Sequence, residues 1–278
     1  MKTLKELMDH KGRQISLELF PPKEVNSKFL GKLESFVELQ PNFFTVTYGA
    51  AGGNKSNAVE VVKNIINMGG EVIPHVTCVN STLEEVKRHL AELKELGVNK
   101  IVALRGDYVE PKGDFRYATD LMRIAKDDFE LAGACYPELH PEERGCINEM
   151  PLNPLVWKQD KGCQVFFSQM FFEPEIFYRY LLSARRAGNF NIIPGLMPVI
   201  NRNSFNRLTS TAGVWTPQEV RDMVDRSTDE ELYEKGIDHC VGIIGNLFAH
   251  GVTDVHLYSL NNYDATHEIM SKVKNWLR

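Results

Sequence analysis

Glu18 sits inside the apolar run Ile15-Ser-Leu-Glu-Leu-Phe20, which ends at Pro21 and Pro22. Burial disfavours a charged carboxyl, so a glutamate in such a run keeps its proton to higher pH and suits proton delivery near neutrality. A carboxylate paired with a basic residue of a neighbouring strand is the alternative. Asp107 closes Ile101-Val-Ala-Leu-Arg-Gly-Asp107, where apolar residues lead directly into a guanidinium, a glycine and a carboxylate. Gly106 would let the main chain approach a planar ligand closely, and Asp107 fits either a ligand contact or the cap of the next element. Gln169 follows Val165-Phe-Phe-Ser168. A primary amide there can read the donor and acceptor edge of a fused pyrimidine ring, or tie two loops together.

Thr47-Tyr-Gly-Ala-Ala-Gly-Gly53 is a glycine-rich loop after a strand-like run, able to turn backbone N–H groups toward a phosphate or a ring edge. His75 ends Val72-Ile-Pro-His75 and reads equally as a ligand donor or as a satisfied core histidine. Tyr136 and His140 supply an aromatic face and an imidazole on one loop, a combination suited to a stacked, anionic cofactor. G-x-S-x-G, H-E-x-x-H, P-loop and EF-hand patterns are missing from the sequence, which removes local support for serine hydrolase, zincin and nucleotide triphosphatase chemistry.

These residues share a grammar: an apolar run, then a polar or ionisable group. Runs at 15–20, 43–48, 72–75, 101–107, 135–138, 165–169, 191–197 and 255–258 give eight strand candidates. Amphipathic helical spacing fills 28–38, 58–68, 83–96, 117–127, 174–187 and 236–250. Buried parallel strands read as near-continuous apolar runs, and eight of them alternating with helices predict a (β/α)8 TIM barrel, class α/β, with functional groups converging at the C-terminal ends of the strands. No G-x-G-x-x-G follows the first strand, which disfavours an open dinucleotide-binding sheet. Residues 3–10 and 264–277 read as an extra N-terminal and a C-terminal helix. Residues 140–155 and 201–231 read as long loops at the mouth. With no linker-like stretch, 1–278 is expected to be one catalytic barrel domain without a regulatory domain.

Thirty-two basic against 37 acidic residues give a net charge of −5, so no overall electrostatic pull toward nucleic acid or an anionic membrane is visible. No apolar stretch approaches the roughly 20 residues of a membrane helix, and residues 1–11 lack the apolar core of a secretory signal, which makes a cytoplasmic location the expectation. The five cysteines, Cys78, Cys135, Cys146, Cys163 and Cys240, include no C-x-x-C pair and read as reduced, mostly buried thiols rather than a disulfide frame or metal site.

Taken in order, Leu17-Glu-Leu-Phe-Pro-Pro-Lys23, Val46-Thr-Tyr-Gly49, Pro74-His-Val-Thr-Cys78, Ala103-Leu-Arg-Gly-Asp107, Tyr136-Pro-Glu-Leu-His-Pro-Glu142, Gln169-Met-Phe-Phe172, Pro194-Gly195 and His256-Leu-Tyr-Ser-Leu-Asn261 resemble the methylenetetrahydrofolate reductases across almost the whole chain. The resemblance implies an FAD-containing barrel that reduces 5,10-methylenetetrahydrofolate to 5-methyltetrahydrofolate, with NADH or NADPH reducing the flavin first in a ping-pong cycle. It implies Glu18 as general acid and Asp107 as the carboxylate that contacts the pterin and lies near the flavin. Gln169 and Tyr258 would join Asp107 in holding substrate. Thr47, Tyr48, Ala50, His75, Arg105, Gly106, Asp107, Tyr117, Ala118, Tyr136, His140 and Lys158 fall where the family holds FAD.

The chain departs from the family's pattern around Pro151, at the adenosine end of the FAD site, and at Ser204, Leu208 and Asn262, near the donor and the folate tail. Two competing readings stand beside it: the same folate chemistry fed by a partner iron–sulfur or flavin protein, and a catalytically silent interaction subunit. NADH, NADPH and a protein electron donor stay open as alternatives at this point, as do the polyglutamate preference and assembly into a homo-oligomer.

Overall fold

The computed structural model describes residues 1–48, 55–107, 113–138 and 152–277. Its strands are β1 (Gln14–Leu19), β2 (Phe44–Val46), β3 (Val72–Thr77), β4 (Lys100–Leu104), β5 (Glu130–Cys135), β6 (Cys163–Ser168), β7 (Asn191–Ile193), β8 (Gly195–Leu196) and β9 (Asp254–Tyr258). The helices are α1 (Leu4–Met8), α2 (Ser27–Glu38), α3 (Lys55–Asn67), α4 (Leu83–Glu95), α5 (Ala118–Ala125), α6 (Asn153–Gln159), α7 (Pro174–Ala187), α8 (Arg202–Ala212), α9 (Gln218–Arg226), α10 (Asp229–Ala249) and α11 (Tyr263–Val273). Every strand pairing is parallel, in the order β7-β6-β5-β4-β3-β2-β1-β9-β8. The fold is the expected α/β TIM barrel.

The seventh barrel strand is split. Pro194 has no N–H to give a ladder, so β7 bonds to β6 on one side and β8 to β9 on the other. The Pro194 carbonyl still accepts from His256 N at 2.9 Å. The ring closes through this broken unit, and the single run expected over 191–197 becomes two short strands.

Residues 201–231, expected as a polar loop, hold α8, α9 and the start of α10. Asn201 caps α8 by accepting from Ser204 N at 2.9 Å, and Thr228 caps α10 through Glu231 N. The apolar contributions of α8 and α9 are few, Phe205, Leu208 and Ala212 from one and Val220, Met223 and Val224 from the other, which is why composition hid them. They cover Met170, Phe172, Met197 and Val199 above the ends of β6 and β8.

Side chains on a strand alternate between faces, and the inward set fills the barrel in layers. At the base, Phe43, Ile73, Val102, Ala132, Val165, Phe167 and Ile193 meet Leu4 and Leu7 of α1, which closes the N-terminal end of the barrel. Each of those leucines, buried to 1% exposure, contributes roughly 1.5–3 kcal/mol. The fully buried Lys100 anchors the segment: its Nζ donates to Lys2 O at 2.7 Å and to Glu71 Oε2 at 2.9 Å. Among the described residues no helix is long and apolar enough to cross a membrane.

Candidate active site

Above the apolar base lies a polar layer. His256 Nδ1 is 2.7 Å from Ser16 Oγ and its Nε2 is 3.1 Å from Thr45 Oγ1, so both ring nitrogens are engaged by hydroxyls that can donate or accept as the tautomer requires. Its ring also contacts Phe167 at 4.7 Å between centroids, at the boundary with the apolar layer. Burial, and next the neighbouring His75, push the His256 pKa down to about 3. A neutral imidazole therefore sits at the centre of the barrel. Sequence reasoning did not single out Ser16, Thr45 or His256. The signal was there, since each lies two residues before a residue that was singled out, Glu18, Thr47 and Tyr258, and so faces inward one layer below.

Glu18, in β1, occupies the next layer at 7% exposure, and burial pushes its carboxyl pKa up to about 8. Its Oε2 is 3.6 Å from His75 Nε2 of β3. That separation would allow an ion pair, but burial also pushes the His75 pKa down to about 4. At pH 7 the contact is between a protonated carboxyl and a neutral imidazole. Among the described residues no lysine or arginine pairs with Glu18, which goes against the salt-bridge reading of the sequence.

Tyr258 closes the same layer from β9. Its hydroxyl donates to Ser168 O at 2.6 Å, and burial, followed by the Glu18 charge, holds its pKa well above the ordinary tyrosine range. Ser168 Oγ accepts from Gly195 N at 2.8 Å and donates to Gln169 O at 2.9 Å. Gln169 is thereby fixed at the tip of β6, with its N donating to Cys135 O at 2.8 Å and its Oε1 accepting from Met170 N at 2.9 Å.

The β4 end turns sharply. Arg105 O accepts from Cys78 N and Val79 N, at 3.2 and 2.8 Å, and Gly106 follows with φ +97°. A Cβ at Gly106 would lie 2.9 Å from Val79 Cγ1, so conformation and space both require glycine. The turn delivers Asp107 to the exposed rim and leaves Arg105 half-buried beside it. Tyr117 is 63% exposed at the start of α5, its N donating to Asp120 Oδ2 at 3.0 Å, and Ala118 is buried behind it.

Tyr136 is half-buried just past β5, and Lys158, on α6, sends its Nζ to Ala134 O at 2.5 Å near the end of that strand. Thr47 is buried past β2, its N donating to Leu19 O at 3.0 Å. Tyr48 turns the other way and stacks on His89 of α4, with ring centroids 4.0 Å apart. Ala50, His140 and Pro151 lie outside the described residues.

The departures at Ser204, Leu208 and Asn262 each have a local role. Ser204 occupies the first turn of α8 as the N–H partner of Asn201, and Leu208 packs against the apolar cluster that Tyr258 also touches. Asn262 caps α11, accepting from Ala265 N at 3.1 Å. Cys78, Cys135, Cys163 and Cys240 are free and buried, and among the described residues no group of three or more His, Cys, Asp or Glu side chains is placed to hold a metal.

A protonated carboxyl with amide, hydroxyl and carboxylate groups around it and cations nearby is the kind of polar site that α/β-barrel enzymes build at the C-terminal ends of their strands. The family model for methylenetetrahydrofolate reductase matches residues 3–274. A 5,10-methylenetetrahydrofolate reductase of Buchnera aphidicola (Acyrthosiphon pisum) is 36% identical over 269 residues, 92% of this chain and 90% of that one. The maize protein named methylenetetrahydrofolate reductase (NADH) 1 is 29% identical, the match covering 94% of this chain and 49% of that one. Among solved structures, an uncharacterized protein from Clostridium thermocellum, described as binding two copies of 5-methyl-5,6,7,8-tetrahydrofolic acid, shares the fold: TM-score 0.70, 15% identity, coverage 98% and 97%. The chain belongs to the methylenetetrahydrofolate reductase family, oxidoreductases of one-carbon folate metabolism.

Proposed function

We infer that this chain reduces 5,10-methylenetetrahydrofolate to 5-methyltetrahydrofolate, using bound FAD and a nicotinamide donor, NADH or NADPH, in a ping-pong cycle, with residues 1–278 acting as one catalytic barrel. The observation that carries the reading is Glu18: a buried carboxyl with a pKa of about 8, at the floor of the mouth, beside a neutral His75 and without a lysine or arginine partner among the described residues. An oxidoreductase that only passed hydride would not need it. Opening the imidazolidine ring of methylenetetrahydrofolate does, because a ring nitrogen must be protonated before an electrophilic iminium can form.

The rim fits a flavin dinucleotide by its donor chemistry. Arg105 and Lys158 supply cations suited to phosphate or ribityl oxygens. Tyr117, 63% exposed, offers an aromatic face, and Thr47, His75, Gly106, Ala118 and Tyr136 line the same end of the barrel. Tyr48 turns its ring toward α4, so its contribution to the mouth is its main chain. FAD bound there would supply hydride to the substrate carbon and be restored by the nicotinamide.

The chain's own part is then specific. Glu18 holds a proton at its carboxyl and gives it to the folate nitrogen. His75, neutral beside it, leaves the acid uncharged until substrate arrives. Asp107 and Gln169 read the pterin edge, and Tyr258 joins them in holding the substrate. Among relatives, the maize protein's name favours NADH as the donor.

The test is an anaerobic flavin spectrum of the purified protein on adding NADH, then NADPH, then methylenetetrahydrofolate. Bleaching by a nicotinamide and recovery on adding folate is the expected result. Bound flavin that no nicotinamide bleaches, but that folate reoxidises after chemical reduction, would replace the nicotinamide with a protein donor. Reduced flavin indifferent to folate would overturn the reading.

A further inference from the structure

The main chain of β1 runs through Phe20 into Pro21 and Pro22, which have no N–H with which to extend a ladder. Phe20 is the last residue there able to exchange a pair of hydrogen bonds, and its partner is a side chain. Phe20 N donates to Asn261 Oδ1 at 2.9 Å, and Asn261 Nδ2 donates to Phe20 O at 2.7 Å. The amide of Asn261 thus copies a peptide group of a neighbouring strand. Two residues earlier on the same loop, the buried Ser259 donates through Oγ to Glu18 O at 2.5 Å and accepts from Asn261 N at 3.2 Å.

Leu260 and Asn261 have φ of +52° and +55°, the left-handed region that residues with a Cβ enter at a cost. Two such residues in succession persist where surrounding bonds hold them, and these four bonds do so. Glu18 needs the support. Its pairing with Tyr258 is the last rung between β1 and β9, so the strand end carrying the carboxyl would otherwise be free to fray on that side.

We propose that the loop from Ser259 to Asn261 is a clasp that fixes the main chain at and just beyond Glu18, making Ser259 and Asn261 positioning residues for proton delivery. The clasp rests on the reading of Glu18 as the acid. Both hydrogen-bonding functions of the Asn261 side chain are committed to Phe20, so its action on the reaction runs through the backbone of β1. Misplacing an acid by about an ångström costs on the order of 100-fold in rate, and a loosened strand end permits that.

The test uses the FAD-bound protein with Asn261→Ala, Ser259→Ala and Ser259→Thr. Hydrogen–deuterium exchange is followed at the Phe20 amide, and both half-reactions are followed by anaerobic stopped flow. In the two alanine variants the Phe20 amide should exchange faster, and reoxidation by methylenetetrahydrofolate should slow by about 10- to 100-fold, while flavin reduction by the nicotinamide stays within about twofold. Ser259→Thr keeps the hydroxyl and should keep the folate rate.

The clasp is overturned if both alanine variants retain the folate rate, if flavin reduction slows by the same factor, or if Ser259→Thr is as slow as Ser259→Ala. Glu18→Gln separates the two layers of argument. Full folate turnover in that variant would sink the acid assignment and the clasp with it, whereas loss there with retention in both alanine variants sinks the clasp alone.

Discussion

The hydroxyl of Tyr258 reaches over Gly195 to the main-chain oxygen of Ser168, a 2.6 Å bond that ties the last strand to the sixth across the broken seventh. A Cβ at Gly195 would stand 2.3 Å from Ser168 O and 2.5 Å from Tyr258 Oη. Glycine is therefore what lets that bond form. Gly195→Ala is expected to destabilise the fold by about 1–3 kcal/mol through overpacking and to raise the KM for folate by displacing Tyr258 and Gln169. Urea unfolding and steady-state kinetics would check both, and a variant with native KM would show that the Tyr258 bond has no role in substrate binding.

Replacing the acid should separate the half-reactions. Glu18→Gln keeps the size and burial of the side chain and removes the proton it delivers. Flavin reduction by the donor should continue, while reoxidation by methylenetetrahydrofolate falls roughly 10²- to 10⁴-fold. Stopped-flow absorbance of the two steps is the measurement.

The same substitution has a pH signature in stability. The folded protein holds the Glu18 proton up to a pKa of about 8, against 4.5 for an ordinary glutamate. Between those values the native state binds the extra proton, so this group makes stability fall as pH rises through the window. Glu18→Gln removes the slope: its Tm relative to the parent should be higher at pH 8 than at pH 5. The sign for His75 and His256 is opposite. Their pKa values are pushed down to about 4 and about 3, so they withdraw stability as pH falls below 6.5. An equal Tm difference at both pH values would contradict the buried, protonated state of Glu18.

His256→Leu would take the imidazole away from the buried Thr45 hydroxyl and leave Ser16 Oγ with its 3.4 Å bond to Val255 O. An unsatisfied buried polar group costs about 1–3 kcal/mol, and the loss should appear in chemical denaturation. Restoring an apolar neighbourhood with Ser16→Ala and Thr45→Val in the same chain should recover part of it, a recovery a mere size effect would not give.

Much of the barrel was legible because burial writes itself into the strands as apolar runs. Glu18, Asp107, Gln169 and Tyr258 stood out because each interrupts or ends such a run, and the fold brings all four to the C-terminal end of the barrel. What stayed hidden depended on geometry that spacing cannot express. Helices α8 and α9 bury few apolar side chains and rest on caps and on Arg202, whose guanidinium bonds Val224 O and Ser227 O. The split at Pro194 follows from one missing N–H within a run that otherwise reads as continuous. Asn261 and Ser259 were legible as part of a family motif, while their bonds to Phe20 and Glu18 connect residues 241 positions apart.

The plug formed by Leu4 and Leu7 gives the barrel a sealed floor. Beneath His256 the interior is packed with phenylalanine and aliphatic side chains. Among the described residues, apolar side chains close the barrel end beneath the site. On the proposed reading of Glu18, the proton that recharges it comes from the mouth side, the side by which substrate enters and product leaves.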